Sequence, residues 1–264
     1  MSVHNKVIWI TGASSGIGAA LAIELSKFKC KLILSARNEQ KLLETKSECV
    51  GSPDDVVVVP LDLSRQEGVS LAYEEAVQSF GKIDILVNNA GISQRALTVD
   101  TDLDVYARLM SINYLGTVAI TKSVLPEMIE RGSGQVVTIT SLVGKFGTPL
   151  RSGYAASKHA LHGFFDSLRA EVHDQGVDIL LVCPGFIQTE ISRRALVGDG
   201  AVHGTMDDAQ KKGMTPDVFA RKMVVAMGKK EEEVCIGGKE TYGVLIKRFF
   251  PSIFSKMIRN VDVT

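Results

Sequence analysis

Cysteine is scarce in this chain. Four cysteines occur among 264 residues, and they are widely scattered: Cys30, Cys49, Cys183 and Cys235. None belongs to a C-x-x-C pair or to a His/Cys cluster with metal-ligand spacing, and the nearby pair His159 and His162 has no further ligand pattern, so we predict no metal site. Scattered thiols are typical of reducing compartments, with a disulfide between two of them as the alternative. We therefore expect reduced thiols and a cytoplasmic protein.

Long apolar runs and an excess of charge are also absent. No run approaches the roughly 20 apolar residues needed to span a bilayer. The apolar stretch at 6–10 is too short for a secretory signal and lacks a cleavage site. Lys and Arg together number 30, as do Asp and Glu, so the formal net charge is zero. Without a basic surplus, the composition indicates no nucleic-acid partner.

What is present is a regular alternation of short apolar runs with longer helical patterns. Runs that are apolar at nearly every position are typical of parallel strands covered on both faces. The predicted strands are residues 7–10, 31–35, 56–60, 83–87, 135–140, 177–183 and 234–236. The predicted helices are residues 16–28, 39–49, 66–80, 103–130, 154–174 and 216–229. This alternation predicts an α/β protein, a single-domain, doubly wound Rossmann fold with a parallel sheet of about seven strands.

Two segments depart from this alternation. Residues 187–214 carry several charges, four glycines and little periodicity, and a segment of that length between a strand and a helix is typical of a lid. Residues 240–264 form an amphipathic extension, because apolar residues recur at helical spacing between basic ones from 242 to 258. We therefore assign residues 1–239, lid included, to the Rossmann domain and residues 240–264 to a C-terminal helical extension.

The apolar stripe at 242–258 is compatible with two arrangements. An aromatic, basic amphipathic segment can lie in a membrane interface, which would make the protein peripheral on a membrane. Alternatively, the stripe packs on its own domain or on a second subunit of a homodimer. Residues 93–99, 142–150, Phe186 and the lid are expected to form the walls of an apolar substrate pocket.

The first predicted strand leads into a glycine-rich turn, T-G-A-S-S-G-I-G at residues 11–18. Glycines there allow a sharp turn and bring backbone N–H groups against a pyrophosphate, while the next helix points its positive N-terminus at that charge. The turn therefore predicts a dinucleotide site. The expected cofactor contacts are Gly12, Ser14, Ser15, Gly16, Ile17 and Gly18.

The end of the second predicted strand bears on the choice of cofactor. An NAD site usually offers Asp or Glu here to the ribose 2′-hydroxyl, but this chain reads L-S-A-R-N at 34–38. The guanidinium of Arg37 could instead pair with a 2′-phosphate. The alternative is a solvated arginine at the start of the next helix. We predict NADP(H) as the cofactor.

Further motifs, in their order and spacing, resemble those of the short-chain dehydrogenase/reductase family. They are the turn at 11–18, Asp62, N-N-A-G at 88–91, Asn113, Ser141, Y-x-x-x-K at 154–158 and P-G at 184–185. The runs at 34–37 and 113–117 are similar to its hydroxysteroid-dehydrogenase-like reductase branch. Some NADP-specific members carry a basic residue within the glycine turn, where this chain has Ser14 and Ser15. The resemblance implies further cofactor contacts by Asp62, Leu63, Asn89, Ala90, Gly91, Pro184, Gly185, Ile187 and Thr189.

The expected chemistry rests on Tyr154 and Lys158, which lie four residues apart and so share one helix face. A phenol with a pKa near 10 needs a nearby positive charge to act at neutral pH, and Lys158 and the oxidised nicotinamide would supply it. The resemblance implies that Tyr154 donates the proton and that Lys158 also holds the nicotinamide ribose. It implies that Ser141 polarises the substrate carbonyl and that Asn113 anchors a water between Lys158 and solvent.

These residues predict an NADP(H)-dependent oxidoreductase that moves a hydride between nicotinamide and a carbonyl or secondary alcohol. An apolar substrate is expected, such as a steroid, a retinoid or a lipid-derived ketone. The alternative is a catalytically silent Rossmann protein that senses NADP(H) or has a regulatory role. The resemblance also implies a homo-oligomer, either a dimer or a tetramer.

Overall fold

A parallel sheet of seven strands forms the centre of the molecule, in the order β3-β2-β1-β4-β5-β6-β7. The computed structural model describes residues 3–259 and 261. Every pair of neighbouring strands is parallel, which confirms the predicted doubly wound fold. The strands are β1 (Val7–Thr11), β2 (Lys31–Ser35), β3 (Val56–Val58), β4 (Ile85–Asn88), β5 (Gly134–Ile139), β6 (Val177–Pro184) and β7 (Glu233–Ile236).

Helices cover both faces of the sheet. In the part of the chain that the structure describes they are α1 (Gly16–Ser26), α2 (Glu39–Glu48), α3 (Val69–Phe80), α4 (Leu103–Met110), α5 (Gly116–Glu130), α6 (Ser152–Glu171), α7 (Asp208–Lys211), α8 (Pro216–Lys229), α9 (Tyr242–Phe249) and α10 (Pro251–Ile258). None of these helices is both long and apolar enough to span a membrane.

The alternation of side chains along β1 explains why its strand is apolar throughout. Ile8 and Ile10 point into a core formed with α1, α2 and α8, where Phe219 is also fully buried. Trp9 points to the opposite face, into a core formed with α3, α5 and α6, which holds Phe165. Successive strand residues face opposite sides of a sheet, so a strand covered on both sides must be apolar at every position.

One predicted helix is interrupted, which corrects the sequence analysis. The prediction of a single helix over 103–130 is wrong, because α4 and α5 are separated by a π-helical turn at Ser111–Leu115. A Cβ on Gly116 would lie 2.6 Å from the Leu63 carbonyl oxygen, so the chain passes Leu63 closely at this point. An extra residue in the turn accommodates that approach, and such turns are common at functional sites.

Other element bounds differ by a few residues. The strand predicted at 56–60 ends at Val58, before Pro60, which has no N–H to donate to a neighbouring strand. The helix predicted from 66 begins with a 3-10 turn, and α3 starts at Val69. Helix α6 begins at Ser152 rather than 154 and ends at Glu171. These shifts leave the carboxyl ends of the strands, where the predicted motifs lie, unchanged.

The strand order reverses between β1 and β4, and a cleft opens there at the carboxyl ends of the strands. Ligands of open α/β sheets bind at such a point. The cleft has a volume of about 1000 Å³ and is lined by the loops after β1, β2, β4, β5 and β6. Residues 187–214, which include α7, lie across it and are joined at their base by pairing between Ile187 and Met214.

Candidate active site

The glycine turn after β1 is held in a tight conformation that only glycine allows at two positions. Gly12 has a φ of +66°, and a Cβ there would lie 2.8 Å from the Cα of Ala90. A Cβ on Gly18 would lie 2.4 Å from the Gly12 carbonyl oxygen. The Asn89 side chain donates to the carbonyls of Thr11 (2.9 Å) and Gly12 (3.1 Å). The Asn89 side chain therefore holds the turn in place, and the turn presents the N-terminus of α1 to the cleft.

That turn fits the diphosphate of a dinucleotide. Ser15 precedes α1 in an extended conformation, and its side chain makes no capping hydrogen bond, so the first N–H groups of the helix face the cleft without competition from it. The cavity wall includes most of the predicted contacts of this turn: Gly12, Ser14, Ser15, Gly16 and Ile17. Gly18 is not part of that wall, and its role is to let α1 pack against the turn.

Arg37 and Asp62 meet at the adenosine end of the cleft, and both line it. The Asp62 carboxylate accepts hydrogen bonds from the backbone N–H (3.0 Å) and the hydroxyl (2.8 Å) of Ser64. Partial burial raises the pKa of Asp62, but those bonds and the charges of Arg37 and Arg65 outweigh it and hold the pKa below its usual value. A charged carboxylate beside Arg37 thus borders the place where an adenine and its ribose would lie.

The residues predicted to carry out the reaction meet at the other end of the cleft. Ser141 follows β5, and Tyr154 and Lys158 lie on one face of α6, all three at the cavity wall. The Lys158 ammonium donates to the Ile139 carbonyl (2.9 Å) and lies 5.8 Å from the centre of the Tyr154 ring. Both side chains are buried. The structure therefore brings the serine, phenol and ammonium groups to one corner.

Burial opposes ionisation of both groups. It lowers the pKa of Lys158 from 10.5 to about 8. It raises the pKa of the Tyr154 phenol above 10, and this effect is opposed, in decreasing order, by the charge of Arg151, a hydrogen bond with Ser141 and the charge of Arg95. Lys158 was expected to supply the positive charge at the phenol, whereas the charges that lower the pKa of the phenol here are those of Arg151 and Arg95.

Asn113 lies in the π-helical turn and is completely buried, beneath the cavity wall rather than on it. Its side-chain oxygen accepts from the Ile92 N–H (2.8 Å), and its amide donates to the Ile92 carbonyl (2.9 Å) and to the Ser157 hydroxyl (2.9 Å). These three hydrogen bonds hold the loop after β4 against α6. The relay water that the resemblance implies at Asn113 stays a prediction.

The nicotinamide end is framed by the loop after β6. The cavity is lined here, as the resemblance implied, by Pro184, Gly185, Ile187 and Thr189. Its opposite side is lined by Leu63, Ala90 and Gly91. The Glu240 carboxylate accepts from the backbone N–H groups of Phe186 (3.1 Å) and Gly238 (2.9 Å). Glu240 thereby ties the start of the C-terminal segment to the loop after β6, a link that has no signal in the sequence.

The C-terminal helices divide their apolar residues between two environments. Phe254 is buried, with its ring centre 5.0 Å from that of Phe146, and both line the cavity with Ile246. Ile258 is half-buried against the same cluster. Six other large apolar side chains of this stripe are exposed: Tyr242, Leu245, Phe249, Phe250, Ile253 and Met257. The stripe thus packs on its own domain through one side and presents an apolar surface on the other. The apolar wall of the cavity, to which Phe146, Ile246 and Phe254 belong, is completed by Leu142, Val143, Leu196 and Phe186.

Strand register brings together residues that sequence spacing kept apart. Cys183 of β6 is the direct partner of Cys235 of β7, and their sulfurs and a Glu233 carboxylate oxygen lie within 4.8 Å of one another. His162 Nε2 lies 3.8 Å from the Cys183 sulfur, and the Lys145 ammonium pairs with Glu233. All four cysteines are free thiols. Only the pairing of β6 with β7 could have revealed this cluster.

Comparison with known proteins agrees with this geometry. A family model described as short chain dehydrogenase matches residues 6–197. The chain belongs to the short-chain dehydrogenase/reductase family. Human dehydrogenase/reductase SDR family member 7 is 45% identical over 237 residues, which cover 88% of this chain and 70% of the relative.

Solved structures resemble this short-chain dehydrogenase/reductase over nearly its full length. A short-chain dehydrogenase from Streptomyces avermitilis has a TM-score of 0.83 at 28% identity and covers 99% of this chain and 100% of its own. An alcohol dehydrogenase from the archaeon Thermococcus sibiricus, complexed with 5-hydroxy-NADP, has a TM-score of 0.75 at 26% identity, with 89% and 97% covered. The protein is therefore a member of an oxidoreductase family that uses a nicotinamide cofactor.

Proposed function

We propose that this enzyme uses NADP(H) to reduce a carbonyl, or to oxidise the corresponding secondary alcohol, of an apolar small molecule. The observation that carries the proposal is the meeting of Ser141, Tyr154 and Lys158 at one corner of a cleft whose far end fits a dinucleotide. A binding protein without turnover would need the dinucleotide end but not this corner.

The bound cofactor would supply or accept the hydride, and the protein's own groups would handle the proton and the charge. Tyr154 donates its proton to the carbonyl oxygen in reduction and removes it in oxidation. Ser141 donates a hydrogen bond to the oxygen as negative charge develops there. Lys158, one helical turn from Tyr154, holds the nicotinamide ribose and favours the phenolate.

The cofactor preference follows from the end of β2. Arg37 lines the cleft, and residues 34–38, which span the end of this strand and the start of the next loop, contain no carboxylate. A guanidinium there favours a 2′-phosphate through charge-assisted hydrogen bonds. The complex of the T. sibiricus alcohol dehydrogenase with 5-hydroxy-NADP is in line with this preference.

The substrate class follows from the opposite wall, where Leu142, Val143, Phe146, Leu196 and Phe254 face the cavity. We expect a steroid, a retinoid or a lipid-derived ketone, because burial of apolar area is the main source of affinity in such a pocket. We also propose that the enzyme acts in the cytoplasm as a homo-oligomer, a dimer or a tetramer.

Turnover of NADPH against a panel of aldehydes, ketones, quinones and steroids tests this function. We expect consumption with apolar ketones and a loss of roughly 10²–10⁴-fold in Tyr154→Phe, the usual contribution of a general acid. Tyr73→Phe is the matched control, because the Tyr73 hydroxyl bonds Glu127 far from the cleft. Binding of NADPH with no turnover across the panel would instead identify a protein that senses the cofactor.

A further inference from the structure

The lid touches the N-terminus of α1 at two points. Near the start of the lid, the Thr189 side chain lies over the first residue of α1, because a Cβ on Gly16 would be 3.0 Å from the Thr189 Cγ2 atom. Further along the lid, the Arg194 guanidinium donates through Nη1 to the Ser15 hydroxyl (3.3 Å). Both contacts lie where the glycine turn fits the diphosphate of a dinucleotide, so this part of the lid borders that site.

Arg194 carries a positive charge that no acid neutralises in the part of the chain that the structure describes. Its side chain is exposed and lines the cleft. The Glu190 carboxylate, four residues earlier, pairs with Arg193 (3.4 Å). Two further carboxylates of the cavity wall, those of Asp62 and Glu240, accept hydrogen bonds from backbone N–H groups. A guanidinium that is bonded to a neutral hydroxyl and has no acidic partner is suited to a phosphate group, with which it forms charge-assisted hydrogen bonds.

The backbone that carries Arg194 is fixed within the lid. The Arg193 carbonyl accepts from the Gly204 N–H (2.9 Å), and the Ala195 carbonyl accepts from the His203 N–H (2.8 Å). The Ala195 side chain is completely buried. The residues on either side of Arg194 are therefore held, and its exposed side chain extends from a backbone that a ligand need not reorder. Preorganisation of this kind lowers the cost of binding.

Two contacts anchor the same part of the lid to the body of the protein. Leu196 exchanges backbone hydrogen bonds with the loop after β4, since its N–H donates to the Ser93 carbonyl (2.9 Å) and its carbonyl accepts from the Arg95 N–H (2.8 Å). The Arg95 side chain also donates through Nε to the Asp207 carboxylate of the lid (3.0 Å), and both groups are buried. These contacts hold the lid, and with it Arg194, beside the glycine turn.

We propose that Arg194 is a cofactor-binding residue of the lid, which binds the diphosphate of the dinucleotide together with the N-terminus of α1. This inference rests on the proposed binding of that diphosphate at the glycine turn. Arg194 and Arg37 then have different roles, because the diphosphate is common to NADPH and NADH, whereas the 2′-phosphate belongs to NADPH alone. Leu196, two residues after Arg194, lines the apolar wall of the cavity, so the bound cofactor would also hold part of the substrate pocket.

Fluorescence titration of the full chain with three ligands tests the proposal. Arg194→Ala should weaken the binding of NADPH and of NADH by the same factor, about tenfold, the low end for a charged hydrogen bond because the side chain is exposed. Adenosine 2′-phosphate, which has no diphosphate, should displace NADPH with the same affinity of its own in the variant and in the unaltered protein. Arg194→Lys should recover part of the lost affinity, because lysine keeps the charge but not the planar fork of donors.

Lys212→Ala is the matched control, because Lys212 is an exposed cation of the same lid that is not part of the cavity wall. It should change neither cofactor affinity by more than about twofold, since an exposed charge away from the ligand contributes little. If Arg194→Ala lowers the thermal midpoint of the protein, Arg194→Gln takes its place, because glutamine can still donate to Ser15 but carries no charge. Unchanged binding, a loss confined to NADPH, or an equal loss in the control would each overturn the proposal.

Failure of this inference can be told apart from failure of the proposed function. If Tyr154→Phe loses turnover and Arg37→Ala weakens NADPH alone, while Arg194→Ala binds both cofactors normally, only the role of Arg194 is wrong. If the unaltered protein binds neither cofactor, the glycine turn does not hold a diphosphate, and both proposals are overturned.

Discussion

At the scale of single residues, Arg37 should decide the cofactor. Arg37→Ala should weaken NADPH binding by about 1.5–3 kcal/mol, the usual contribution of a charged hydrogen bond, and leave NADH binding unchanged. Fluorescence titration with both cofactors measures this. Arg65→Ala is the matched control, since Arg65 also acts on Asp62 but is not part of the cavity wall. Equal loss for the two cofactors, or loss for neither, would contradict the assignment.

The buried ammonium of Lys158 should reduce the stability of the cofactor-free protein. Burial lowers its pKa from 10.5 to about 8, so the unfolded chain binds more protons between these values. Stability should therefore rise with pH from about 8 to 10.5, and the full penalty should be present below pH 8.

Removal of that ammonium tests this expectation. Lys158→Met should raise the thermal midpoint at pH 7 by roughly 2–6 °C, as a gain of about 1–2 kcal/mol does in a chain of this size, and should flatten the rise above pH 8. Thermal unfolding without cofactor measures both effects. Lys122→Met, at an exposed lysine of α5, should change neither. A lower midpoint in Lys158→Met would mean that the bond to Ile139 outweighs the cost of burial.

At the scale of elements, the π-helical turn between α4 and α5 is held by Asn113. Asn113→Ala removes three hydrogen bonds and leaves the Ile92 N–H and carbonyl without these partners. We expect a loss of about 2–3 kcal/mol in the free energy of unfolding, from urea denaturation. Ser111→Ala, in the same turn but at its more exposed start, should cost less than 0.5 kcal/mol, as is usual for surface substitutions. Equal losses in the two variants would show that the turn does not depend on the Asn113 side chain.

The sequence was sufficient to predict the strands and their loops, because a parallel strand covered on both faces is apolar throughout and its carboxyl end carries the functional residue. It could not predict the break at Ser111–Leu115, since one extra residue barely disturbs the apolar pattern of a long helix. The ion pair between Arg95 and Asp207 spans 112 residues and leaves no local pattern. The pairing of Cys183 with Cys235 depends on strand order, which spacing along the chain does not contain.

At the scale of the whole molecule, α9 and α10 present an apolar surface that we propose binds an anionic lipid surface. Phe249, Phe250 and Ile253 are 54–65% exposed, and Arg248 and Lys256 are exposed on the same two helices. Aromatic groups enter the headgroup region while basic groups pair with anionic lipid. A lipid-soluble ketone could then reach the cavity through the wall formed by Ile246 and Phe254.

Point substitutions test this surface better than removal of the helices, because Phe254 is buried against Phe146. Phe249→Gln with Ile253→Gln should abolish sedimentation with phosphatidylserine vesicles and leave turnover of a small soluble ketone intact. Leu71→Gln with Val99→Gln, at exposed apolar sites elsewhere, is the matched control. Loss of a dimer in the first variant, without any vesicle binding by the unaltered protein, would show that a second copy of the chain covers the surface.

The bonds from Phe186 and Gly238 to Glu240 have a practical consequence for the design of reporters. They connect the loop that frames the nicotinamide to the segment that leads into α9. A fluorescent label or an immobilising tag placed after α10 is therefore attached to the segment that positions this loop. We expect such a label to change the measured turnover. A label attached before β1 is joined to the amino end of that strand, opposite the carboxyl ends that form the cleft, and is not linked to this loop through Glu240.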